Sequence, residues 1–289
     1  MRKTLFTGVC TALVTPFLDG KINCPMVKIL LKRQMDAGVK AVVLSGTTGE
    51  SPTLSDTEKT ELIRQCKQYA GSECTIIAGT GSNSTAHAIE LSIAAQEAGA
   101  DALLVVTPYY NKATPEGLFS HYLSVARSVS IPVIVYNVPS RTGVDIPVSV
   151  YTRLCKVPNI IGVKEASTDI TKITKIKNAC SKDFSIWSGN DDMTVPVMSL
   201  GGQGVISVTS NICPKQMVAM TQAAINDDFE TASAMQAALQ PLIDLMFCEV
   251  NPIPVKAALS RIGYDCGDCR LPLCKLSNEN AKRIQEFFS

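Results

Sequence analysis

Ile160-Ile161-Gly162-Val163-Lys164-Glu165 is a run of four apolar residues with a lysine and a glutamate directly behind it. A run so short, closed by charged residues, reads as a buried strand rather than a helix. Seven more runs of this kind occur: Val9 to Thr15, Ala41 to Leu44, Thr75 to Ala78, Ala102 to Val106, Val133 to Tyr136, Ser185 to Trp187 and Gly204 to Val208. Between them lie helical patterns, such as Asp56 to Tyr69 behind a Ser55 cap, Thr85 to Ala98, and Pro115 to Val129 with proline in the first turn. Strands separated by single helices need right-handed crossovers, so the sheet is expected to be parallel and buried, and eight units close into a barrel. The expected class is therefore α/β, a (β/α)8 TIM barrel over residues 1–225. Beyond residue 226 the strand signal stops and three helical patterns follow, predicting a small helical extension over 226–289. A doubly wound sheet is the competing architecture, but Gly79-Thr80-Gly81-Ser82-Asn83-Ser84 lacks the third glycine of a dinucleotide-binding turn.

The 289 residues are 46% hydrophobic, enough for one large core. Lys and Arg number 27 against 26 Asp and Glu, a net charge of +1 with no like-charge block, so neither nucleic acid nor a membrane surface is expected as a partner. No apolar run reaches the roughly 20 residues that span a bilayer. Met1-Arg2-Lys3 ahead of a mildly apolar stretch resembles a short secretory leader, but Thr4, Thr7, Thr11 and Thr15 interrupt it and no small-residue cleavage site follows, so a first strand is expected. Eleven cysteines scattered through apolar segments, among them Cys10, Cys66, Cys155 and Cys180, fit buried thiols in a reducing cytoplasm. Cys266, Cys269 and Cys274 have one zinc-like spacing without a fourth nearby ligand, and are read as surface-loop cysteines.

In a barrel of this class the active site lies at the C-terminal strand ends. Lys164 sits there, and a desolvated lysine can attack a carbonyl to form an imine. The alternative is a lysine that merely pairs with Glu165. Tyr136 ends the adjacent run and is a candidate proton relay, or a rim aromatic with a bonded hydroxyl. Gly46-Thr47-Thr48-Gly49 offers backbone N–H groups and two hydroxyls to a small carboxylate, and Arg141 is a candidate for a second one. The only histidines, His87 and His121, fall on helical segments without a ligand motif, so metal-dependent chemistry is not expected and electron-sink duty falls to a lysine imine.

Over its whole length the chain resembles the dihydrodipicolinate synthase family, part of the pyruvate-dependent aldolases that also include N-acetylneuraminate lyase. The resemblance rests on Gly46-Thr47-Thr48-Gly49-Glu50-Ser51, Thr107-Pro108-Tyr109-Tyr110-Asn111, Tyr136-Asn137-Val138-Pro139-Ser140-Arg141-Thr142-Gly143, Gly162-Val163-Lys164-Glu165, Gly204-Val205-Ile206-Ser207-Val208 and Asn251-Pro252-Ile253-Pro254-Val255-Lys256. It implies that Lys164 forms an imine with pyruvate, and that Thr47, Tyr136 and Tyr110 relay protons, Tyr110 coming from a neighbouring subunit. It also implies that Thr48 holds the pyruvate carboxylate, Arg141 that of L-aspartate 4-semialdehyde, and that Gly189 and Ile206 line the pocket. No cofactor is implied beyond the covalent imine, and a homotetramer built as a dimer of dimers is expected. The implied activity is the first committed step of diaminopimelate and lysine synthesis.

Family members inhibited by lysine bind it through positions matching Ser51, Leu54, Asn83 and Tyr109. Here Lys59 replaces a typical histidine and His87 a typical glutamate, so the carboxylate for lysine's ammonium is missing and weak or absent feedback is expected. The competing functions are another lysine aldolase, acting on sialic or keto-deoxy-sugar acids, and a barrel that senses a keto acid without turnover.

Overall fold

The computed structural model describes residues 4–289; Met1, Arg2 and Lys3, on which the leader reading partly rests, lie outside the described residues. Eight parallel strands form a closed barrel: β1 (Gly8–Ala12), β2 (Ala41–Leu44), β3 (Thr75–Gly79), β4 (Ala102–Val106), β5 (Val133–Asn137), β6 (Ile160–Glu165), β7 (Ser185–Ser188) and β8 (Gly204–Ser207). β8 pairs with β1 to close the ring, through Gly8 to Gly204 and Val9 to Val205. Every expected strand is present. The first is shorter than its apolar run, because Leu13 to Thr15 leave the sheet, and a two-stranded ribbon of Phe17–Leu18 and Lys21–Ile22 follows that the sequence reading did not include.

The covering helices are α1 (Cys24–Asp36), α2 (Asp56–Ala70), α3 (Thr85–Glu97), α4 (Pro115–Ser128), the short α5 (Pro139–Thr142), α6 (Val148–Leu154), α7 (Thr171–Ala179), α8 (Thr194–Ser199) and α9 (Pro214–Ile225). Three more, α10 (Phe229–Met246), α11 (Ile253–Arg261) and α12 (Asn278–Phe287), follow at the C-terminal end. Helix α2 starts where Ser55 suggested: its side chain accepts from Glu58 N at 3.1 Å while Glu58 accepts from Ser55 N at 2.9 Å. Such a reciprocal cap is worth about 1 kcal/mol. Among the described residues no helix is long and apolar enough to cross a membrane.

Two apolar layers result. Cys10, Val43, Ile77, Leu104, Ile134, Tyr136, Trp187 and Ile206 fill the barrel, while Val9, Val42, Ile76, Leu103, Val135, Val163 and Ile186 pack outward on the helices. One strand breaks this alternation. Val133 pairs with Ile160 but Ile134 pairs with Gly162, so Ile161 is an extra residue in β6. A one-residue slip moves everything beyond it to the other face. Val163 then pairs with Val135 on the outside, Lys164 with Tyr136 inside, and Glu165 with Asn137 outside. Gly162 makes room for this: a Cβ there would lie 2.3 Å from Ser185 O and 2.8 Å from the Trp187 ring.

His121 on α4 is 4% exposed, shares a hydrogen bond of 2.9 Å between Nδ1 and the Thr85 hydroxyl, and leaves a buried Nε2 without a partner among the described residues. Burial pushes its pKa down to about 4 from 6.5. Because the folded value is the lower one, its stabilising effect is complete above pH 6.5 and is lost as pH falls toward 4.

Two measurements follow from these packing facts. Gly162→Ala is expected to lower the free energy of unfolding in denaturant by about 1–3 kcal/mol through overpacking, and an unchanged midpoint would contradict the tight approach of β6 and β7. Between pH 6.5 and 4 the wild type should lose up to about 3 kcal/mol more than His121→Gln, so parallel stability curves would show that His121 does not titrate as described.

Candidate active site

Lys164 lies inside the last turn of β6 rather than beyond it, and is 5% exposed. Its Nζ stands 4.3 Å from the centre of the Tyr136 ring, and among the described residues it has no hydrogen-bond or ion-pair partner. The competing pairing with Glu165 does not form. Glu165 faces the helices, accepting from Asn137 Nδ2 and Ser167 N at 2.8 Å each and from Tyr151 OH at 3.2 Å, with Lys172 Nζ 3.9 Å away. Below the site burial pushes the Cys10 thiol well above its ordinary value, an effect that Lys164 partly opposes. A neutral thiol of that kind does not compete with the amine as a nucleophile.

The floor around Lys164 is built for close approach. A Cβ on Gly189 would sit 2.6 Å from Ala166 Cβ and 3.1 Å from Lys164 Cε, so glycine leaves room for the lysine stem. Ile206 is fully buried in the same interior layer as Tyr136, which is 6% exposed. Tyr136's backbone carbonyl accepts from the Thr107 hydroxyl and amide, both at 2.9 Å, which ties β4 to β5 under the ring.

Past β2 the chain turns through Ser45, with φ 52°, and ends the Gly46–Glu50 turn on Glu50, with φ 57°. Glu50 N donates to Thr47 O at 3.1 Å and Ser51 N to Gly46 O at 3.2 Å. Thr47 is half-buried, whereas Thr48 is 2% exposed and accepts from Asn251 Nδ2 at 3.0 Å. Arg141, exposed on α5, donates to Asn251 O at 3.4 Å. Asn251 therefore joins both candidate carboxylate-binding elements, a role for which the sequence offered only the Asn251-to-Lys256 motif. Beside Arg141 a cavity of about 460 Å³ opens, lined among others by Ser140, Ala166, Asn190, Asp191, Asp244 and Phe247. Burial, then Asp191, raises the Asp192 carboxyl at its edge.

The candidate regulatory residues form a separate group. Leu54 is buried behind the Ser51–Thr53 turn, Asn83 O accepts from Asn111 Nδ2 at 2.9 Å, and Tyr109 is 36% exposed. His87 Nε2 lies 2.9 Å from Asp56 Oδ2, and Lys59 Nζ 3.6 Å from Asp56 Oδ1. The hydrogen bond from His87, with help from Lys59, holds Asp56 below the usual carboxylate range. The one carboxylate beside His87 and Lys59 among the described residues, Asp56, is already engaged by both. Tyr110, 90% exposed with φ 71°, packs on no element of its own barrel mouth.

Cys266 departs from the surface-loop reading: it is fully buried, with Sγ 3.4 Å from Tyr264 O. Cys269 is half-buried and turned to Glu50, and Cys274 is exposed. Cys180 is only partly buried. Among the described residues no three His, Cys, Asp or Glu side chains are grouped to hold a metal ion.

The chain is 46% identical over 286 residues to the 4-hydroxy-tetrahydrodipicolinate synthase of Thermoanaerobacter sp. (strain X514), covering 99% of this chain and 96% of that protein. Its fold superposes on the crystal structure of the dihydrodipicolinate synthase from Aquifex aeolicus with a TM-score of 0.96, at 40% identity and 98% and 97% coverage. A dihydrodipicolinate synthase from Acinetobacter baumannii, complexed with pyruvate, gives a TM-score of 0.95 at 41% identity, covering 97% of each chain. The model of the dihydrodipicolinate synthetase family matches residues 5–289, and the chain belongs to that family.

Proposed function

We infer that this chain is a 4-hydroxy-tetrahydrodipicolinate synthase, condensing pyruvate with L-aspartate 4-semialdehyde. The observation that carries the mechanism is the buried Lys164 amine, held over the Tyr136 ring without a carboxylate partner. Such an amine can add to the keto group of pyruvate, and loss of water gives an imine. The cationic nitrogen then draws off the electrons released when a methyl proton leaves, forming an enamine. The enamine carbon attacks the aldehyde of the second substrate, whose oxygen takes up a proton. Finally the amino group of the new chain attacks the imine carbon, closes the ring and releases Lys164; one water is formed per turnover. The reaction is the first committed step toward diaminopimelate and lysine.

In this reading Lys164 is the nucleophile, and Tyr136, Thr47 and Tyr110 of the partner subunit pass protons, help typically worth about 10²- to 10⁴-fold. Thr48 takes the pyruvate carboxylate and Arg141 that of the aldehyde, while Gly189 and Ile206 bound the pocket. That the Acinetobacter relative binds pyruvate supports pyruvate as the first substrate. The chemistry uses no dissociable cofactor. The expected assembly is a homotetramer, a dimer of dimers, in the cytoplasm, and the exposed Tyr110 leaves a side chain free to meet a partner subunit. Residues 1–225 would be the catalytic barrel and 226–289 its extension. Ser51, Leu54, Lys59, Asn83, His87 and Tyr109 would form at most a weak lysine site, since Asp56 is engaged.

Incubation with pyruvate and sodium borohydride should add one reduced pyruvate to Lys164, detected by intact mass and peptide mapping, and none to Lys164→Ala. An unmodified wild type would move the reading to a keto-acid sensor. In steady-state assays sub-millimolar L-lysine should leave the rate unchanged; strong inhibition there would overturn the reading of the Asp56, Lys59 and His87 group.

A further inference from the structure

Lys256 takes no part in the chemistry above, yet it is 2% exposed and its ammonium meets three acceptors from three segments. Nζ donates to Glu50 Oε1 at 2.8 Å, to Thr15 O at 3.2 Å and to Asp268 O at 3.1 Å, using all three of its protons. Glu50's side chain is completely withdrawn from solvent, and its second oxygen accepts from Arg270 N at 2.8 Å. Arg270 in turn donates to both Glu58 oxygens, at 2.8 and 2.6 Å, and to Thr53 O and Gly20 O. Both cations lie over the Phe17 ring, at 4.4 and 4.3 Å.

All of this converges on one turn. Glu50 is its last residue, in a left-handed conformation that a non-glycine residue keeps only when its surroundings over-determine it. Thr15, whose carbonyl Lys256 holds, donates its own hydroxyl to Gly49 O at 2.8 Å. The turn is therefore gripped through the Glu50 side chain and through the Gly49 backbone, and Asn251 adds a third hold on Thr48.

We propose that Glu50 and Lys256 are positioning residues, whose buried ion pair fixes Thr47 and Thr48 for the pyruvate carboxylate. The segment from Asn251 to Arg270 thereby sets pyruvate affinity. This rests on the assignment of Thr48 to that carboxylate. Stability alone is a poor reason for the pair: exchanging both partners of a buried ion pair for neutral groups of similar size often costs little, whereas removing one strands a charge.

That difference gives the test. Glu50→Gln/Lys256→Met removes both charges at similar volume, and Arg270→Ala loosens the segment while leaving the pair. Pyruvate is titrated against borohydride trapping, followed by intact mass, with melting temperature and the KM of each substrate measured alongside. The double variant is expected to melt near the wild type and to need about tenfold more pyruvate for half-trapping, the scale of one misplaced charge-assisted hydrogen bond. It should still be fully trapped on Lys164 at saturation, with the KM for the aldehyde within about twofold. Half-trapping at the wild-type concentration overturns the proposal. If the double variant does not fold, Arg270→Ala decides, with about a threefold rise expected and no rise overturning it. Thr48→Val separates the two layers: an unchanged half-trapping concentration there would remove the assignment of Thr48 rather than the action of the clamp.

Discussion

The extra residue in β6 is the constraint from which the active site follows. With unbroken pairing from Val133 and Ile160, Tyr136 would face Val163, and Lys164 would stand beside Asn137 among the helices. The slip at Ile161 exchanges these positions, placing the amine in the barrel and Glu165 outside it. The exchange has two local requirements. Gly162 must be bare because Ser185 and Trp187 already occupy the space its side chain would need, and the Trp187 indole is held by its N–H to Phe6 O at 3.2 Å and by stacking on the Phe6 ring at 4.8 Å.

Once the lysine is inside, the rest of the charge distribution keeps carboxylates away from it. Glu165 is absorbed on the outer face by Asn137, Tyr151, Ser167 and Lys172, and Lys172 is itself paired with Asp145. Glu50 is absorbed by Lys256 and the Arg270 amide. A lysine paired with either carboxylate would be held in an ion pair, whereas Lys164 without such a partner keeps its Nζ turned to the barrel interior beside Tyr136. Two fully bonded ion clusters in the shell and one lysine without a partner in the centre are two sides of the same arrangement.

This division explains what the sequence could reveal. Eight short apolar runs between helical patterns identify a parallel barrel because period and length are local properties, and the Ser55 cap was legible for the same reason. The slip in β6 was not: Ile160, Ile161, Gly162 and Val163 are all apolar, so no alternation in the sequence marks which face each takes. The ribbon at Phe17 and Lys21 has two residues per strand, too few for a periodic signal. Lys164, Tyr136 and the Gly46–Glu50 turn could be named because they follow strands. Asn251, Lys256 and Arg270 act on that turn from more than 200 positions away in the chain, a relation that only the folded structure displays. Cys266 was misread for a similar reason: its segment has no period, yet the Cys266 carbonyl receives Phe17 N at 2.9 Å and the thiol is buried with it.

The same view accounts for the two exposed tyrosines. A left-handed non-glycine residue costs on the order of 1–3 kcal/mol unless its surroundings compensate. At Glu50 the compensation is visible, in buried hydrogen bonds and the Lys256 pair. At Tyr110 the backbone is equally left-handed and is spanned by a turn bond from Asn111 N to Tyr109 O at 2.9 Å, with the Asn111 side chain tied to Asn83 O, while the ring is 90% exposed. A second copy that covered Tyr109 and Tyr110 would bury the exposed ring, and would bring the Tyr110 hydroxyl to a mouth where Tyr136 and Thr47 have no proton-sharing partner of their own among the described residues. Assembly and catalysis would then share one residue.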